Sequence, residues 1–171
     1  MLRSFRFWAS GLLLGSSLTF ASPAEAQRVE QGLGFGAHLA YGLGGALASD
    51  ELGSGLRHNL DASFLMGEFL THPAAMWRWR NGWAAGPLVA SGFGAYPTYL
   101  GAEGGYAHDV GMAAGAALLG LVARVDPESG AGASVRVTGD IALVELGVRG
   151  IVIFLGEPEL QITGLIGIGR F

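Results

Sequence analysis

Eight ionisable side chains carry the chemistry this sequence offers, each set among small or apolar neighbours: His38, Asp61, Arg78, Arg80, Glu103, Arg136, Glu145 and Arg149. Four arginines, three carboxylates and a histidine can pair into a network that fills a narrow polar interior, or they can line a path for ions. Neither use is catalysis. The histidines His38, His58, His72 and His108 have no close spacing suited to a metal. Gly32-x-Gly34-x-Gly36 lacks the strand-to-helix context of a nucleotide-binding turn, and His108 beside Asp109 reads as a turn pair. The absence of cysteine excludes disulfides and thiolate metal sites. The expectation is a non-enzymatic protein with no catalytic residue, no metal and no cofactor.

The elements that would position these charges repeat with a period of two. From Gly32 to Gly44, Leu33, Phe35, Ala37, Leu39, Tyr41 and Leu43 alternate with glycine, alanine and His38. Strands send successive side chains to opposite faces, so this segment has one bulky face and one small face, which a helix would scatter. The same alternation marks His58–Leu70, Met76–Gly86, Tyr96–Ala107, Val110–Ala123, Ala133–Thr138, Ile141–Leu155 and Leu160–Phe171. Glycine, 30 of 171 residues, lies inside these segments, where it disfavours helices and keeps one face of a strand small. The fold class expected is all-β, an antiparallel up-and-down barrel of about eight strands.

Residues 1–26 read as a signal peptide. Arg3 and Arg6 precede an apolar stretch, Phe7–Ala21, and Ala24-Glu25-Ala26 gives the small-x-small pattern for cleavage before Gln27. Removing 26 of 171 residues leaves 145 as a single domain, 27–171, with 8 arginines against 13 acids and a formal charge of −5. There is no lysine and no basic cluster, hence no electrostatic reason to expect nucleic acid. If the first strand runs outward, the outer connections are Gly45–Arg57, Pro87–Ala95, Arg124–Gly132 and Gly156–Glu159. The inner ones are Thr71–Ala75, His108–Asp109 and Gly139–Asp140. Longer loops outside and short turns inside match a bacterial outer-membrane barrel, and Gly139-Asp140 suits a type II′ hairpin.

The bulky parity is almost wholly apolar over about the 9–11 residues per strand that cross a bilayer at a tilt. The eight charges fall on the small parity. Trp77, Trp79 and Tyr106 lie beside the short turns, where an aromatic girdle sits. This arrangement points to lipid outside and a polar lumen inside. Two rivals are a soluble exported lipocalin-like binding barrel and a helical inner-membrane protein using Gln31–Ser49 and Gly82–Ala102. Only 14% of residues are charged, too few for an ordinary wet surface, and glycine and proline weaken both helices.

With its cleaved signal, eight alternating segments and terminal Gly167-Ile168-Gly169-Arg170-Phe171, the mature chain from about Gly32 onward resembles the small outer-membrane barrels of the OmpA and OmpX type. That resemblance implies an outer-membrane location and Phe171 as part of the signal read by the barrel-assembly machinery. Phe171 shares parity with Gly167 and Gly169, which a terminal bulge would reconcile. The function expected is a structural or adhesive envelope barrel with a plugged polar interior. Its partners would be outer-membrane lipid, the assembly machinery and an extracellular ligand at loop 45–57, where Asp50, Glu51 and Arg57 supply polarity. The alternative is a narrow channel or transporter for ions or small apolar molecules.

Overall fold

The computed structural model describes residues 29–48, 55–73, 78–93, 96–126 and 128–170, without the side chains of Pro73, Arg78 and Trp79. The signal segment 1–26, Asp50, Glu51, Trp77 and Phe171 lie outside the described residues.

Eight strands follow one another: β1 Glu30–Ala48, β2 Gly55–Pro73, β3 Arg78–Gly92, β4 Thr98–Asp109, β5 Ala113–Asp126, β6 Gly130–Ile141, β7 Val144–Leu155 and β8 Glu159–Arg170. Each pairs antiparallel with the next, and β1 pairs with β8 from Ala37↔Arg170 to Ala48↔Glu159, so the sheet is a closed up-and-down barrel. The helical alternative is overturned. Gln31–Ala48 is strand, and Gly82–Ala102 is taken up mainly by β3 and β4.

Alternation decides which face each residue takes. On β8, Glu159, Gln161, Thr163, Leu165 and Gly169 are buried while Leu160, Ile162, Ile166 and Ile168 are exposed. On β7, Glu145 and Arg149 point inward and Val144, Leu146, Val148 and Val152 outward. The bulky residues of β1 and β2, among them Leu39, Tyr41, Leu60 and Phe64, also stand on the outer surface. Trp83 and Tyr106 meet there edge to face at 5.7 Å; of the three aromatics expected as a girdle, Tyr106 is the one whose side chain is among the described residues.

The strands run longer than the alternation alone indicated, and the connections shrink accordingly. At one end, here the top, strands are joined by 49–54, 93–97, 127–129 and 156–158; at the other, the bottom, by 74–77, 110–112 and 142–143. The contrast between long outer and short inner connections therefore largely disappears. Pro87 sits within β3 opposite Ala102, His108 and Asp109 belong to β4, and Gly139 and Asp140 belong to β6. The β6–β7 turn is instead Ala142–Leu143, because the Asp140↔Glu145 and Ile141↔Val144 pairs carry the ladder past glycine.

That turn places Ala142 at φ 60°, with its N–H donating to the Met112 carbonyl at 2.6 Å. A left-handed alanine costs roughly 1–2 kcal/mol. Glycine removes that strain but gains freedom in the unfolded chain, worth about 0.4–1 kcal/mol in the other direction. Ala142→Gly is expected to stabilise the barrel by no more than about 1 kcal/mol, read as a higher urea midpoint with an unchanged slope.

Candidate functional site: a layered interior

The lumen is packed with side chains, and they are sorted into layers. Its centre is ionic. Asp61 from β2 and Glu103 from β4 face Arg136 from β6 and Arg149 from β7, all at most 3% exposed. Arg149 holds Asp61 through Nε at 2.5 Å and Nη2 at 2.8 Å, and it reaches Glu103 through Nη1 at 3.1 Å. Arg136 Nη2 holds Glu103 at 2.7 Å and donates to Ser63 Oγ at 2.9 Å. Arg149 thus spends its fork of donors on carboxylates from two other strands, the geometry that makes arginine suited to buried pairs, while Arg136 bonds through Nη2 alone. Neighbouring strands make room by carrying small residues. A methyl group on Gly120 would stand 3.1 Å from Glu103 Cβ and 2.6 Å from Ser134 Oγ.

His38, from β1, bridges two carboxylates. Its Nε2 lies 3.0 Å from Asp61 and its Nδ1 lies 2.5 Å from Glu145 of β7. A neutral imidazole has one N–H and would leave one contact without a donor, whereas the doubly protonated ring serves both.

Apolar side chains flank this core. One cluster joins Leu65, Phe69, Ala84, Ala107, Ala116 and Leu118. The other joins Leu88, Ala90, Tyr99, Val122, Ile151 and Ile153. At the top, Glu159 is shared by Arg57 and by Arg124, the latter at 3.0 Å. Tyr99 donates to Gln161 Oε1 at 3.1 Å, and Gln161 donates to Thr163 at 2.9 Å. At the bottom rim Asp109 lies between Arg80 at 3.7 Å and Arg170 at 3.8 Å.

The eight residues singled out from the sequence do not all meet. His38, Asp61, Glu103, Arg136, Glu145 and Arg149 form one buried assembly. Arg80 departs from it: one third of its side chain is exposed, with its guanidinium 5.1 Å from the Phe69 ring. The Arg78 side chain lies outside the described residues.

Arg57, Arg124, Glu159 and Asp140 also line the lumen but read as loop or turn residues from the sequence. Each continues its strand's inward parity: Arg57 precedes Asn59 and Asp61, Arg124 follows Val122, Glu159 precedes Gln161, and Asp140 follows Thr138. Extending the alternation through the charged residue, rather than stopping at it, would have found all four. The expected contact loop 45–57 changes character too, since Gly45–Ala48 and Gly55–Arg57 are strand and Arg57 faces inward.

The interior's chemistry is ion pairing and space filling. Among the described residues, no group of three or more histidine or acidic side chains is arranged to hold a metal ion. The chain matches no family model, no curated protein and no solved structure.

Proposed function

We propose that this protein is a non-enzymatic structural barrel of a bacterial outer membrane, with a lumen plugged by its own side chains. The observation that carries this reading is the inversion of the two faces. Large apolar side chains stand exposed on all eight strands, Leu33, Phe64, Trp83, Leu121, Val137 and Ile166 among them, while charged groups hold the centre of the inside between two smaller apolar clusters. A water-soluble barrel packs its apolar face inward, and contiguous apolar surface of this extent marks contact with lipid or with protein. Strands of 12–19 residues exceed the length of about 9–11 needed to cross the hydrocarbon at a tilt. On this reading the top connections face outward, the signal peptide directs export, and Phe171 serves the assembly machinery.

A structural role is favoured over an adhesive one because connections as short as 127–129 and 156–158 offer little surface to a partner. Segment 49–54, with Asp50 and Glu51, is the longest of them and the place for any extracellular ligand. The plugged lumen also argues against a channel.

Fractionation of the native cell should recover the mature protein with the outer membrane, migrating faster unboiled than boiled on a detergent gel. The purified barrel in a planar bilayer should pass no steady current. Recovery in a soluble fraction would overturn the membrane reading, and reproducible unitary conductance would replace the plugged barrel with the narrow channel.

A further inference from the structure

Asp140 and Glu145 are directly opposed on β6 and β7, both facing the lumen near its bottom end, and both are at most 2% exposed. Like charges directly opposite one another destabilise a sheet, and burial makes the repulsion harder to screen. None of the four carboxyl oxygens of Asp140 and Glu145 makes a hydrogen bond, although Glu145 Oε1 lies 2.5 Å from His38 Nδ1. The Thr138 hydroxyl, one inward position before Asp140, is also buried without a partner. The elements around the pair bring few charges: His38 from β1, Arg136 from β6 itself and Arg149 beyond Glu145 on β7. β5 offers only Ala114 and Ala116 here, and β8 offers Gly167 and Gly169. His38 Nδ1 faces Glu145 Oε1, Arg149 is held by Asp61 and Glu103, and Arg136 bonds Glu103 and Ser63 through Nη2 while its Nε and Nη1 make no hydrogen bond.

The charges of this cluster do not balance. Asp61, Glu103, Glu145 and Asp140 are four carboxyl groups against two arginines and His38, three cations even with the imidazole doubly protonated. The surplus positive charge at the top, Arg57 and Arg124 on one glutamate, lies among other partners beside the Leu88–Ile153 apolar cluster. At the bottom rim Arg80 and Arg170 share Asp109 but are partly exposed to solvent, so the buried cluster itself lacks one positive charge.

We propose that Asp140 and Glu145 form a proton-binding site, one proton held between the two carboxyl groups at neutral pH. The proton gives the pair an O–H donor, so that one carboxyl donates to the other, and it brings the cluster to four acids, one of them neutral, against three cations. The donor set suits a proton rather than a metal ion, because among the described residues no three or more histidine or acidic side chains are arranged to hold one. Glu145 Oε2 lies 2.0 Å from where a β-carbon on Gly169 would be, so the carboxyl already fills the gap that glycine leaves. The β6–β7 hairpin places this pair and closure of the barrel buries it, whether or not lipid surrounds the outer face.

The test uses the mature chain folded in detergent micelles in deuterated buffer. Infrared spectra at neutral pH should show the carbonyl stretch of one protonated carboxyl group, and Asp140→Asn should remove it. Folding stability should fall with rising pH by up to about tenfold in the folding constant per pH unit. The fall runs from about pH 4, where the unfolded chain's carboxyl groups ionise, up to the pH at which the pair releases its proton, because over that interval the folded state binds one proton more than the unfolded chain. Asp140→Asn should lose this slope and keep only the share that doubly protonated His38 contributes above about pH 6.5, its ordinary pKa. If that variant does not fold, the band and the slope of the unmutated protein decide alone. Absence of a protonated-carboxyl band at neutral pH, its survival in Asp140→Asn, or stability that depends on added calcium and vanishes with chelator would each overturn the proposal.

Discussion

Arg149→Met is expected to destabilise the barrel by about 3–5 kcal/mol, the usual cost of breaking a buried ion pair from one side. The guanidinium contacts Asp61 through two nitrogens and Glu103 through a third, and all three residues are nearly inaccessible. Methionine preserves much of the volume and none of the donors. Asp61 would retain His38 and a distant Arg136 nitrogen at 3.9 Å, and Glu103 would retain Arg136. A second change distinguishes lost pairing from lost packing. Asp61→Asn in the Arg149→Met background should recover part of the loss, because it removes the charge left without its main partner. Glu145→Gln should recover none, since Glu145 pairs with His38 and not with Arg149. Urea unfolding of the single variants and both double variants measures this. Equal rescue by the two carboxyl changes would mean that the network responds to net charge rather than to these contacts.

Val148→Arg, one residue earlier, should be costly for an unrelated reason. Val148 stands half exposed on the outer face midway along β7, opposite Val137 and Gly164. An arginine near the midplane of a membrane barrel costs about 2–4 kcal/mol. No substitution of Asp61, Glu103 or Glu145 should relieve it, because the barrel wall separates them. In micelles too small to impose a midplane, the penalty should shrink. A lipid-soluble photoreactive probe should mark positions 39, 60, 144 and 148 above their sequence neighbours. A stable Val148→Arg barrel in lipid bilayers, with labelling that ignores parity, would return the outer face to water.

Parity was the readable part of this sequence. Leu33 to Leu43 against Gly34 to Gly42 specifies strand and faces together, because period two admits no other regular structure. Repeated down the chain, it revealed the barrel and six members of the central network. Strand ends were much less legible. A charged residue at the end of an apolar run looks the same in sequence whether it enters solvent or turns into a lumen, so Arg57, Arg124, Glu159 and Asp140 were placed in connections. Gly139-Asp140 was an attractive turn on local chemistry, but the ladder continued past it to Ala142–Leu143. Arg80 shares the inward parity but sits too near the end of β3 to reach the centre. Which carboxylate meets which guanidinium depends on the stagger of strands around the ring, and no single strand's pattern contains that information.

The closing seam between β1 and β8 bears on how the molecule comes into being. Ala37 finds Arg170 and Ala48 finds Glu159, so the chain's most distant strands must meet before either has its second neighbour. Contacts so remote in sequence slow folding, and until they form, both strands present unpaired backbone to any other chain. Six of the eight strands can zip to neighbours as they emerge, yet the half-made sheet stays open along two edges. A nascent barrel of this design is most vulnerable to tangling with its own copies just before its last strand arrives.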